Sequence, residues 1–464
     1  MSFVCPERGL ITVAVLALNF QMLGRAENST PASKNLARAQ HPPHLGCLPS
    51  VTLKMVQLTD PCVLQKMRLK LNTLGLGLPG VKKWAEIGKD WITQLSQAVS
   101  ARIESNPRSC LVAFLLLSEL LTYLPLWNAN KTIFRFYDGP FYMVVAKTFY
   151  SLTPEQAASF WMMPNIYYAC HLPMYPLLIR IFQLLTQNYE IALVLATVFS
   201  SVAAVVLFYE VLKKFEWVSF PFWTAFLFCL LPPRWLIYKA VGATEPLFFC
   251  WIFLSFLAWH KRNAWALMLF IMGASLTRIT GVLMGPIFFV LFMLEKKYRK
   301  GLILCFSALG LVALFSYYQY QLGDFFAYFT FNLGTAKLIQ FPAFKAFLAS
   351  LQDANHLSAE SYLFTYGIAF FGTVSLWKKR ELFVFCSVYF GFTVFIFHLD
   401  ISRYMLTIAP FAILVAYDPF LKLKSVRWGV LALSPLMLIY AWRYIPLNTM
   451  PLDWYSKLLN FLNT

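Results

Sequence analysis

Long uncharged apolar runs recur from Cys110 to Trp442, and no other feature restricts the possible folds so strongly. They occupy residues 110–126 (interrupted by Glu119), 172–189 (interrupted by Arg180), 191–209, 217–233, 246–259, 263–277, 279–294, 301–322, 361–377, 382–397, 404–417 and 428–442. None alternates apolar with polar residues, which excludes a membrane β-barrel. A helix needs about 20 apolar residues to cross the hydrocarbon core of a bilayer. The expected fold is therefore all-α, a polytopic transmembrane helical bundle of about 10–12 helices. Several runs are only 14 to 17 residues long, which predicts half-spans or spans extended by flanking aromatics. Charged residues make up 13% of the chain and mean hydropathy is +0.60. Soluble domains carry roughly 25% charged residues, so an ordinary soluble fold is excluded.

The formal charge of +18, from 39 Lys and Arg against 21 Asp and Glu, would suggest nucleic acid as a partner in a soluble chain. Here it reads as loop charge obeying the positive-inside rule, and no nucleic acid is expected. Lys213-Lys214, His260-Lys261-Arg262, residues 296–300, Lys378-Lys379-Arg380 and residues 422–427 are predicted to be cytoplasmic. Residues 232–245, 323–360, 398–402 and the tail after Arg443 then face the lumen or the exterior. The early chain breaks this alternation, so either one early segment is re-entrant, the favoured reading, or residues 10–24 also cross. Nine Cys show no CxxC or clustered Cys/His spacing, which indicates neither a metal site nor a disulfide framework.

Residues 1–109 form a separate basic extension, with 110–464 as the membrane domain. Within the extension, 27–46 reads as a flexible polar segment, and 10–24 is a poor signal peptide and a short span. Residues 81–103 place Val81, Trp84, Ile87, Trp91, Leu95, Val99 and Ile103 at steps of three and four, predicting an amphipathic helix on the membrane surface. Gly75, Gly77 and Gly80 spell GxGxxG, but Pro79 lies inside it and no βαβ unit surrounds it, so no dinucleotide site is expected.

The connection from Trp127 to Cys170 is too polar for a span and too aromatic for a plain loop. At its centre stands Phe136-Tyr137-Asp138-Gly139-Pro140. An Asp flanked by aromatics just beyond a span can act as a general base on a lipid-borne substrate. It can equally cap a helix starting at Pro140. Downstream come His171-Leu172-Pro173-Met174-Tyr175-Pro176, Thr244-Glu245-Pro246-Leu247-Phe248, Thr277-Arg278-Ile279-Thr280-Gly281 and Asp400-Ile401-Ser402-Arg403-Tyr404. Locally, Glu245 suits a helix N-terminus, and Arg278 reads as a buried partner of Glu119 or Glu210. Asp400 can pair with Arg403 three residues on.

At these residues the chain resembles the C-type membrane glycosyltransferases, which use a polyprenyl-phosphate sugar. Among them it looks like the mannosyltransferases related to the enzyme that adds the second mannose of the glycosylphosphatidylinositol anchor (GPI mannosyltransferase 2). The likeness covers about 110–445, with Tyr137 where that family has Trp, Leu172 where it has Phe, and Ile279-Thr280 where it has Ser-Asn. It implies an inverting, metal-independent sugar transfer with no cofactor. The donor would be a polyprenyl- or dolichyl-phosphate sugar, with mannose the first expectation, and the acceptor a glycan, glycolipid or protein. Asp138 would take the acceptor proton, Arg403 first and Arg278 second would stabilise the leaving lipid phosphate, and His171, Glu245 and Tyr137 would contact substrate. The expected location is a bacterial cytoplasmic or endoplasmic reticulum membrane. Intramembrane charges such as Arg180 keep a transporter or lipid flippase as the alternative, and a lipid-A or cell-wall sugar ligase is a third class.

Overall fold

A computed structural model describes residues 100–464, except 128–129, 161–162 and 353–356, together with Gln94 and Gln97. The 10–24 and 27–46 segments, the GxGxxG sequence and all of the predicted 81–103 helix up to 99, apart from Gln94 and Gln97, lie outside these residues. Contacts divide the chain into a unit of residues 1–26 and 108–464 and another of residues 27–107. In the latter, residues 100–105 are helical.

The described residues of the larger unit are helical, with no strand and two isolated bridges, Phe136 with Thr449 and Ile339 with Ile396. Each apolar run of the sequence contributes to a helix. Three helices are long and apolar enough to cross a membrane by length and composition: Tyr189–Phe215, Tyr298–Leu322 and Lys424–Leu447. Met174–Thr186, Glu245–His260, Ala264–Thr277 and Ile279–Leu294 are apolar but shorter. The exposed faces are themselves apolar: Leu116, Leu117, Leu120 and Leu121 line one side of the helix Pro107–Tyr123, and Ile181, Leu184 and Leu185 one side of Met174–Thr186. A contiguous face of this kind is costly in water and at ease in lipid.

The shortness of several helices has local causes. Ala264–Thr277 stops at Arg278, which is extended at φ −144°, ψ 133°. The following turn folds back so tightly that a Cβ at Gly281 would overlap the Ala274 backbone. Glu245–His260 begins with a Pro in its first turn, as suits a helix start.

Two hydrophobic cores fill the unit. The larger is built around Phe208, Phe253, Phe256 and Phe411, whose rings lie 5.0 to 6.2 Å apart where they meet. The second is rich in Tyr, with Phe141, Tyr142, Tyr168, Tyr175, Tyr318 and Tyr455. The chain passes between them at the Asp138 loop, since Phe136 belongs to the first core and Phe134 and Phe141 to the second. Glu245–His260 likewise sends Phe248 into one and Leu247 into the other. Polar groups at this seam are held by apolar packing on both sides.

Candidate functional site

The Asp138 loop is fixed from both ends. Tyr137 N donates to Asn448 O at 3.0 Å and Met450 N to Arg135 O at 2.8 Å, while the Arg135 guanidinium bonds back to Met450 O. On the other flank, Gly139 lies directly against Gly242, where a Cβ would come within 2.8 Å of the Gly139 Cα. Only two glycines allow the loop before Glu245 to approach the loop before Gly139–Thr148 so closely.

Asp138 occupies the N-cap position of Gly139–Thr148, yet its side chain makes no capping bond. Its Oδ2 instead accepts from Arg403 Nη2 at 2.8 Å. The local reading of Asp138 as a cap is thus corrected by a partner 265 residues away.

Arg403 stands on the short helix Ile401–Met405. Its Nε donates to Glu245 Oε1 at 2.6 Å, and its guanidinium lies over the Tyr238 ring at 4.6 Å. The same Glu245 oxygen accepts from Arg278 Nη1 at 2.7 Å, and that nitrogen also reaches Thr244 Oγ1 at 3.2 Å. Glu245 is therefore the hinge between two arginines as well as the first acid of its helix, and its buried Oε2 has no hydrogen-bond partner. The expected partners of Arg278 are engaged elsewhere or apart: Glu210 pairs with Arg108 at 2.7 Å, and the buried Glu119 carboxylate makes no hydrogen bond among the described residues.

Asp400 also departs from expectation. Its Oδ1 caps Ile401–Met405 by accepting from Arg403 N at 3.2 Å, but the guanidinium it pairs with is that of Arg234, at 2.7 Å. Tyr238 OH donates to Asp400 Oδ2 at 3.0 Å. The Arg403 guanidinium is taken instead by Glu245 and Asp138.

These residues border a cavity of about 450 Å³ lined by Tyr137, Asp138, His171, Arg278, Arg403 and, on the far wall, Tyr328. Five of the six side chains singled out in the sequence line it, and the sixth, Glu245, lies behind the two arginines. Tyr137 is half exposed at the rim. His171 is buried among Phe141, Tyr142 and Tyr167, with ring centroids 4.9 to 5.5 Å away. Burial lowers its pKa to about 4, outweighing the nearby Asp138 charge, so the imidazole is neutral near pH 7. No hydrogen bond joins His171 to Asp138, and its Nδ1 has no partner.

Sequence reasoning missed Arg234, Tyr238 and Tyr328. Arg234, between Pro232-Pro233 and an apolar stretch, and the aromatic run Phe325-Phe326-Ala327-Tyr328-Phe329 were both visible signals. No protein-family model and no curated protein matches the chain. The site holds one carboxylate at the cavity wall, two guanidiniums able to face an anion, and a neutral imidazole among aromatic rings.

Proposed function

We propose that the protein is a multi-pass membrane glycosyltransferase that moves a sugar from a polyprenyl- or dolichyl-phosphate carrier to an acceptor hydroxyl. The observation that carries this reading is the meeting of Asp138, Arg403 and Arg278, drawn from three distant parts of the chain, on the wall of one cavity. The acceptor oxygen attacks the anomeric carbon and forms the new glycosidic bond as the bond from that carbon to the phosphate oxygen breaks. The acceptor proton passes to Asp138. The electron pair leaves with the lipid phosphate, whose charge Arg403 and Arg278 offset. A single displacement from the face opposite the phosphate inverts the anomeric configuration. His171, neutral, borders the space the sugar would fill, and Tyr137 can cover the rim.

The test is Asp138→Asn, assayed for transfer in membranes supplied with labelled lipid-linked donor. Loss of a general base lowers the rate by about 10²- to 10⁴-fold. Undiminished transfer by a correctly inserted variant refutes the role of Asp138. Topology mapping is the companion measurement, with Asp138 expected on the side of the membrane opposite residues 296–300.

A further inference from the structure

We propose that Asp138 is the resting anion of a phosphoryl-binding site at Arg403, displaced when a lipid-borne phosphoryl group arrives, so that the base is released only once that group is seated. This rests on the reading of Asp138 as the base and adds an order of events to it.

Arg403 divides its guanidinium between two acids of unequal freedom. Its Nε holds Glu245, whose side chain is 4% exposed and is also bound by Arg278. Its Nη2 holds Asp138, which is 16% exposed and lines the cavity. A ligand entering the cavity meets the Asp138 side of Arg403. Among the described residues the Asp138 carboxylate makes that one hydrogen bond and does not cap its helix, so displacing it breaks no other hydrogen bond there. Arg403 stays in place meanwhile, held by Glu245 and by the Tyr238 ring. Arg278 makes its two hydrogen bonds through Nη1 and also lines the cavity.

Charge matching favours the exchange. Two arginines and two carboxylates leave the resting cluster neutral, and withdrawal of Asp138 leaves one positive charge, which a phosphodiester anion balances. While Arg403 Nη2 donates to Asp138 Oδ2 at 2.8 Å, that carboxylate is turned to the guanidinium and not to an acceptor hydroxyl. Once the phosphoryl group takes over the guanidinium, Asp138 is free to turn to the acceptor. Activation of a hydroxyl without a seated donor is thereby disfavoured.

The experiment titrates the full-length, detergent-purified protein with farnesyl phosphate, and in a parallel arm with inorganic phosphate, following binding by calorimetry. Asp138→Asn and Asp138→Ser are compared with the parent protein, and Arg403→Gln serves as the variant lacking the site. Removal of the competing carboxylate is expected to tighten farnesyl phosphate binding about fivefold in both Asp138 variants, the scale of one partly exposed ion pair. Arg403→Gln is expected to lose binding. Unchanged or weaker binding by folded Asp138 variants overturns the proposal, and tightening for inorganic phosphate alone overturns a lipid-borne ligand. Loss of transfer without tighter binding leaves the base assignment standing and removes the exchange. Tighter binding with undiminished transfer does the reverse.

Discussion

Replacing Glu245 by Gln removes one negative charge from behind the cavity while keeping nearly the same volume. In the native site that charge serves Arg403 at 2.6 Å and Arg278 at 2.7 Å, and the Glu245 side chain is only 4% exposed. After the change, two largely buried guanidiniums share a single carboxylate, Asp138, which reaches only Arg403. Breaking a buried pair by deleting one partner costs about 3–5 kcal/mol, because the uncompensated charge remains in place. Glu245→Gln is expected to lower unfolding stability by that amount in detergent, measured by denaturant or thermal unfolding of the purified protein. Glu360→Gln, at an exposed position, should stay within about 0.5 kcal/mol. The double variant Glu245→Gln/Arg278→Met removes the stranded cation together with its partner, and should be less destabilised than Glu245→Gln alone. A Glu245→Gln protein as stable as the parent, or a double variant whose losses simply add, would refute the view that the two arginines depend on one shared carboxylate.

Asp400→Asn leaves Arg234 buried without its anion, the two side chains being 9% and 6% exposed. A loss of about 3–5 kcal/mol is expected, together with weaker donor binding because the helix carrying Arg403 loses its anchor, both readable by unfolding and by donor titration. His171 is neutral in the folded protein, with a pKa near 4 against about 6.5 when unfolded. Its contribution is therefore complete above pH 6.5 and is lost as pH falls toward 4. About 2 kcal/mol should disappear between pH 7 and pH 5, and His171→Phe should flatten that part of the pH profile of stability. Gly242→Ala drives a methyl group to 2.8 Å from the Gly139 Cα and the Leu193 side chain. It should destabilise by about 1–3 kcal/mol and reduce transfer by shifting Asp138, whereas Gly334→Ala, with nothing within 4 Å, should do neither.

The helices were legible because apolar runs between charges survive as helices in any packing, and all twelve runs of the sequence have a helical counterpart. The lengths were less so. The runs at 263–277 and 279–294 are separated by one charged residue, and only the extended backbone of Arg278 shows that the first helix ends there. His171, Glu245, Arg278 and Arg403 could be picked out as polar residues at the ends of apolar runs, and Asp138 as the acid in an aromatic connection between two of them. Their partners could not. Spacing along a helix supplies only neighbours three or four residues away, so it offered Asp400 to Arg403. The actual pairs span 158 and 265 residues for Arg403 and 166 for Asp400. Such pairings depend on how two cores meet, which no local pattern records.

The distribution of acids in this chain is hard to explain by stability alone. Glu210, Glu190 and Glu295 pair with cations that are at least a third exposed, where an ion pair costs little and contributes little. Glu245 and Asp400 are instead buried, each within hydrogen-bonding distance of a guanidinium that is itself at most 16% exposed. Well-packed apolar side chains of similar volume commonly give equal or better stability at such positions. What apolar residues cannot give is a guanidinium held at a fixed angle toward a cavity. The Tyr238 ring beneath Arg403, with its hydroxyl on Asp400, joins the Arg234 pair to the Arg403 cluster, so each network restricts the geometry of the other. The arrangement is intelligible if the direction of Arg403 matters, and a phosphoryl group arriving from the Asp138 side is the kind of ligand for which it would.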